Sequence, residues 1–176
     1  MENKSKIVKF QIFSVIFVIV LGTLLHFTYE WSNKNVIVGA FSAVNESTWE
    51  HLKLIFFPML ITTILGHFYL KNNNNLLCAK LIGILTSLLF IVIFFYTYTS
   101  ILGTNFSILD IGSFFVSVIL GEYIAYKILI SKYICKTKLA IIVLIILTIL
   151  FILFTYVTPN IFLFQDPITN RYGIIY

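Results

Sequence analysis

Long apolar stretches separated by short polar breaks run the length of the chain, with little of the short-period alternation that marks half-buried strands. Five such segments can be drawn, over residues 7–27, 49–70, 76–98, 108–130 and 138–158. Each reaches the roughly 20 residues that a helix needs to cross the hydrocarbon layer of a bilayer. The pattern predicts an all-α fold, a single transmembrane domain over residues 1–176 built as a bundle of five transmembrane helices. The break from Tyr29 to Asn45 contains NVIVGAFSAV, apolar but too short to cross, and is expected to lie at the interface or fold back on the bundle. The C-terminal TPNIFLFQDPITNRYG carries Pro159 and Pro167, which should stop the last helix and begin a structured tail. These two pieces form the expected outer cap.

Composition removes the soluble alternatives. Hydrophobic residues make up 60% of the chain and charged residues 11%, and the mean hydropathy of +1.00 lies far outside the range of soluble domains. The basic residues then orient the spans. Lys4, Lys6, Lys9, Lys71, Lys80, Lys127, Lys132, Lys136 and Lys138 fall at the start or in alternate connections, whereas Lys34, Lys53 and Arg171 fall at the other end with Glu30, Glu46, Glu50, Asp110 and Asp166. The positive-inside rule places the N-terminus inside and the C-terminus outside. The first segment, basic at its start, is too long for a secretory h-region and is expected to be an uncleaved span. Cys78 and Cys135 have no neighbouring Cys or His pair, so neither a metal motif nor a disulfide is expected, in keeping with a reducing cytoplasmic side. The net charge of +5 is accounted for by topology and by anionic inner-leaflet lipids, and implies no nucleic acid. Richness in Ile, Lys, Asn and Phe points to an AT-rich bacterial genome, and so to the cell membrane of a bacterium.

The polar residues are not spread evenly. AVNESTWEHLK, residues 43–53, opens the second span, and its STWE matches a capping box in which Ser47 and Glu50 satisfy backbone donors reciprocally. Trp49, Glu50 and Lys53 share one stripe of the helix, while His51 points about 100° further round than Glu50. His26 and Glu30 share a face at the outer end of the first span. Asp110 begins the fourth at the same level, and Asp166 follows the last. Charges at that depth must face the bundle interior or a wet cavity. Imidazoles and carboxylates on separate helices can build a metal site. The expected assignments are His26, Glu30, Glu46 and Asp166 as metal ligands and Glu50, His51 and Lys53 as catalytic groups. Asn45, Trp49 and Asp110 complete the set as ligand-binding residues. A divalent metal is the implied cofactor, although WEHLK lacks the second His of an HExxH helix. The plainer reading is a polar cluster that only locks the outer loops.

Deeper in the bundle lies Glu122, expected to be a protonated carboxyl because no basic partner lies at its depth, or else a proton site. Pro58 should kink the second span and free a carbonyl near Leu54. Ser113, Ser117, Gly121 and Ala125 make a small-residue stripe on the fourth, suited to close helix packing.

The stretches LLHFTYEWS, AFSAVNESTWEHLKLIFFP and LFQDPIT resemble an uncharacterised family of small bacterial multi-pass membrane proteins, a domain of unknown function with an NESxWEHxK motif. His26, Glu30, Asn45, Glu46, Trp49, Glu50, His51, Lys53, Asp166 and Pro167 match its pattern, and the resemblance implies no known activity. Three functions remain open: a membrane-embedded, metal-dependent enzyme acting on a lipid or envelope substrate, a small-ligand transporter relaying through Glu122, and an accessory membrane protein.

Overall fold

In a computed structural model, which describes residues 4–132 and 135–174, the chain is all-helical as its pattern predicts, and five of its helices are long and apolar enough to cross a membrane. They are α1 (Lys4–Trp31), α3 (Thr48–Tyr69), α4 (Leu76–Leu102), α5 (Ser107–Leu129) and α6 (Thr137–Tyr156). One short helix, α2 (Val36–Gly39), lies in the first connection, and a single 3₁₀ turn, Phe162–Phe164, lies in the C-terminal tail. Helices α1, α3, α4 and α5 close a four-membered ring, each packed on its neighbours, and α6 lies outside it against α4 and α3. Exposed apolar side chains such as Ile12, Ile16, Ile93, Ile119, Ile142 and Ile149 face outward from the bundle, as helices solvated by hydrocarbon would.

Local chemistry sets the ends. Asn35 caps α2 by accepting from the Ile37 and Val38 amides, Ser47 caps α3, and Gly103, at φ 74°, closes α4 in the left-handed conformation that glycine adopts without strain. Pro58 sits inside α3 and deprives the Leu54 carbonyl of its helical donor. Gly22 of α1 packs on that carbonyl, and a Cβ there would run into it.

The α4 and α5 backbones approach closely at Gly83 and Gly121. Ser113, Ser117, Gly121 and Ala125 are all buried, and Ser87 of α4 donates to the Ser117 carbonyl at 2.8 Å. A Cβ on Gly121 would collide with Ser87 Oγ and the Gly83 carbonyl, whereas one on Gly112 of the same helix meets nothing within 4 Å. Gly121→Val is therefore expected to destabilise the protein by about 1–3 kcal/mol, and Gly112→Val to leave it unchanged. Unfolding of the two variants in detergent checks this; equal midpoints would show that the seam is not tightly packed.

Two expectations are corrected here. Cys78, in the first turn of α4, and Cys135, just before α6, are joined by a disulfide. Helix packing brings together two thiols that are 57 residues apart, a proximity that Cys spacing does not reveal. Lys80 is not part of a solvated basic connection. It lies inside α4, completely buried, with its ammonium 2.7 Å from the Glu122 carboxylate. Glu122 thus has the basic partner it was expected to lack. Gln11 Nε2 also donates to Glu122 Oε2 at 2.8 Å, and Lys80 Nζ reaches Ser14 Oγ at 3.1 Å and Thr62 Oγ1 at 3.4 Å. One ion pair therefore binds all four helices of the ring.

Candidate functional site

At the acidic end of the bundle the polar residues of the sequence separate into two groups. Helix α3 is the divider, because Glu50 and Lys53 lie on its inward face while His51 projects about 100° away.

The inward group is Glu50 and Lys53. Lys53 and Glu50 pair at 2.5 Å with side-chain exposures of 0% and 4%. Lys53 Nζ also donates to the Gly39 carbonyl at 2.8 Å and to Thr155 Oγ1 at 2.9 Å. Glu50 accepts from the Val44 amide at 3.0 Å. The pair thereby ties the first connection and α6 to the start of α3. Half of the expected capping box forms. Ser47 Oγ accepts from the Glu50 amide at 3.4 Å, but the Ser47 amide is taken by Asn45 Oδ1 at 2.9 Å, since the Glu50 carboxylate is committed to Val44 and Lys53. Thr155, which completes this knot, carries no signal in the sequence.

The outward group is His26, Glu46 and His51. One ligand atom from each lies within 4.8 Å of the other two: His51 Nε2 is 3.4 Å from Glu46 Oε2, and His26 Nε2 is 4.0 Å from Glu46 Oε1. His51 Nδ1 lies 3.0 Å from the Ser47 carbonyl. A carbonyl oxygen only accepts, so Nδ1 carries a proton, and Nε2 meets the carboxylate either as the N–H of an imidazolium or as a lone pair that shares a cation with it. A cation, either a proton or a metal ion, has to stand between them. The hydrogen bond from His51 holds the Glu46 carboxyl below its ordinary range, against the opposing effect of partial burial and with further help from the His51 and His26 charges. Glu46 is accordingly a carboxylate at neutral pH.

Glu46 is held from behind. Its amide donates to Asp166 Oδ2 at 3.4 Å, while Asp166 Oδ1 accepts from Ile168 at 2.7 Å and Thr169 at 3.1 Å, a side-chain turn that shapes the tail. Asn45 Nδ2 reaches the Gly173 carbonyl at 2.8 Å. The tail therefore clamps the loop that carries Glu46.

Below the triad opens a cavity of about 310 Å³ whose walls include His26, Glu46, His51 and Asp110 at the polar end and Leu54, Ile55, Ile91 and Phe114 further in. The Asp110 carboxylate accepts from the Tyr98 hydroxyl, which fixes it on its side of the cavity.

Several expected assignments move. Glu30 is exposed on α1 and is not part of the triad. Asp166 is buried at 3% exposure and spends its oxygens on backbone amides, so it positions the loop. Trp49 stacks on Phe151 and Phe164 with centroids 4.5 and 4.7 Å away, on the α6 side, and Asn45 braces the loop; neither lines the cavity. Of the three groups expected to be catalytic, His51 lines it and Glu50 and Lys53 do not.

The two polar levels are separated by packed hydrocarbon. Val18 of α1, Ile55, Phe56 and Met59 of α3, Ile84 and Leu88 of α4 and Val118 of α5 form one buried cluster. Along each helix these residues fall between the acidic-end groups and the Lys80–Glu122 pair.

A family model described as a family of unknown function (DUF6512) matches residues 1–174, so the chain belongs to that family. The expectation of an uncharacterised family spanning the whole chain is met at that level. No curated protein matches the chain, and neither does a solved structure.

Proposed function

We propose that this DUF6512 protein is a multi-pass protein of a bacterial cell membrane, with its N-terminus inside, that holds a divalent metal at the outer face on His26, Glu46 and His51 and uses it on a lipid or envelope substrate. The observation that carries the reading is the convergence of two imidazoles on one carboxylate, with one ligand atom of each of His26, Glu46 and His51 within 4.8 Å of the other two, His51 Nε2 3.4 Å from Glu46 Oε2 and His26 Nε2 4.0 Å from Glu46 Oε1. Ligand atoms at ordinary zinc distances around a tetrahedral ion stand about 3.3 Å from one another. The His51–Glu46 spacing of 3.4 Å is close to that, and His26, at 4.0 Å, has to move in by a few tenths of an ångström. Two imidazoles and one carboxylate also leave coordination positions open, the pattern of catalytic rather than structural sites. A divalent ion there would polarise a bound carbonyl or phosphoryl oxygen.

The protein's own groups have separate tasks in this reading. The Ser47 carbonyl fixes the His51 tautomer, as outer partners of metal-bound imidazoles do. Asp166 and Asn45 hold the Glu46 loop, and Asp110 faces the ion across the cavity as a proton acceptor. Transport has less support, since the packed layer of Val18, Met59, Ile84 and Val118 holds no ionisable group among the described residues, and the Ser87 and Ser117 hydroxyls beside it donate to helix carbonyls. The role of an accessory protein whose polar cluster is only architectural fits Glu50 and Lys53, and gives no reason for His26 to join His51 and Glu46 at the wall of a cavity.

Protein purified in detergent, stripped and reloaded with zinc is expected to retain one ion per chain. His51→Ala and His26→Ala should weaken binding by on the order of 100-fold or more, while Glu30→Ala should not change it. The reading fails if the unsubstituted protein binds no stoichiometric metal, or if Glu30→Ala weakens binding as much as His51→Ala does.

A further inference from the structure

The cavity says more about its occupant than that it meets a metal. Its wall changes character with depth. His26, Glu46, His51 and Asp110 line the end nearest the loops, and Leu54, Ile55, Ile91 and Phe114 line the deeper part beside Thr23 and Ser113, whose hydroxyls donate to carbonyls of their own helices. The ionisable zone thus ends within about one helical turn, since Ile55 lies one turn below His51, about 6 Å along the axis.

Its side wall is not closed. Ile111 and Phe115 line the cavity and are also 58% and 37% exposed on the outer flank of α5. Thr23 of α1 lines it too and is exposed. A residue that is both lining and outward-facing marks an edge, and these edges lie on α1 and α5 within candidate membrane spans. The opening between them faces the level of the hydrocarbon. A water-soluble substrate has no use for such an opening; a molecule already in the bilayer does.

Resting on the metal reading above, we infer that the site takes a membrane-resident, single-chain amphiphile. Its anionic oxygen group, a phosphate or carboxylate, sits at His26, Glu46 and His51, and its chain leaves sideways between α1 and α5. The first few carbons lie against Leu54, Ile55 and Phe114. The rest of the chain stays in lipid, because the side opening at Ile111 and Phe115 leads out between the helices. Specificity is then for the junction of head and tail, with little selection on total chain length.

The test uses cobalt-loaded, full-length protein in lipid nanodiscs, with the visible absorption of cobalt as the readout of anion binding. Inorganic phosphate, butyl phosphate and decyl phosphate are the probes. Butyl phosphate should perturb the spectrum at a concentration at least about tenfold below that for inorganic phosphate, the gain expected from burying two or so methylenes. Ile111→Trp, which fills the side opening, should remove that advantage while leaving cobalt and inorganic phosphate binding unchanged. Decyl phosphate should gain little over butyl phosphate once its partition into the nanodisc lipid is taken into account. Equal affinities for butyl and inorganic phosphate, or an Ile111→Trp protein that keeps the advantage, would overturn the amphiphile inference and leave the metal reading standing. Failure to load cobalt would instead sink the metal reading, and this inference with it.

Discussion

Lys80→Met is expected to destabilise the protein by about 3–5 kcal/mol, the effect of stranding one member of a buried ion pair. The ammonium is fully buried and contacts Glu122 at 2.7 Å, Ser14 at 3.1 Å and Thr62 at 3.4 Å. Without it the Glu122 carboxylate keeps only Gln11 as a side-chain donor and is left buried without an opposite charge. The compensating change separates charge from shape. Lys80→Met combined with Glu122→Leu removes both charges and restores apolar packing, so it should recover most of the loss. Unfolding of the three proteins in detergent measures the cycle. A single variant within about 1 kcal/mol of the parent would show that the pair is not part of what holds the ring together.

The second large effect is expected at Lys53. Lys53→Met removes the donor shared by Glu50, Gly39 and Thr155 and should again destabilise by about 3–5 kcal/mol. It should have a consequence that Lys80→Met lacks. Glu50 holds the Val44 amide at 3.0 Å, and Val44 lies two residues before Glu46, so disturbance of the carboxylate reaches the loop that presents Glu46. Zinc affinity should fall by on the order of tenfold in Lys53→Met, at temperatures where the protein remains folded, and stay unchanged in Lys80→Met. Equal zinc affinity in both variants would mean that the inner face of α3 does not position the site.

How much of this was legible in the sequence depends on the range of the interaction. The helices were legible because each is written in its own residues: an apolar run of sufficient length has one low-energy form in hydrocarbon, with every backbone group satisfied inside the segment. Ser47 as an N-cap, Pro58 within α3 and the small-residue stripe of α5 are similarly local. His51 pointing away from Glu50 and Lys53 was also legible, since it follows from 3.6 residues per turn. What that divergence separates was not, because it depends on what packs against each face. Glu50 and Lys53 turn toward α6 and the first connection, and His51 toward α1 and α5.

Glu122 teaches the same lesson with the opposite outcome. Lys80 lies within the apolar segment 76–98, but its closeness to a run of Asn made it read as a residue of the connection. Helix α4 starts at Leu76, so Lys80 is one full turn inside it, and the long side chain covers the remaining distance to Glu122 on α5. The disulfide between Cys78 and Cys135 and the part played by Thr155 depend on where α6 docks, which periodicity cannot state.

By itself, then, the sequence determined the secondary structure, the count of long apolar helices and the level at which ionisable groups gather, because those follow from the transfer of segments and from helical geometry. Only the tertiary structure decided which of those groups are spent on one another and which are left facing a cavity. Pairing depends on helix rotation and on contacts between residues far apart in the chain. AVNESTWEHLK supplies both kinds: Glu50 and Lys53 close on each other inside the bundle, and Glu46 and His51 turn outward to meet His26.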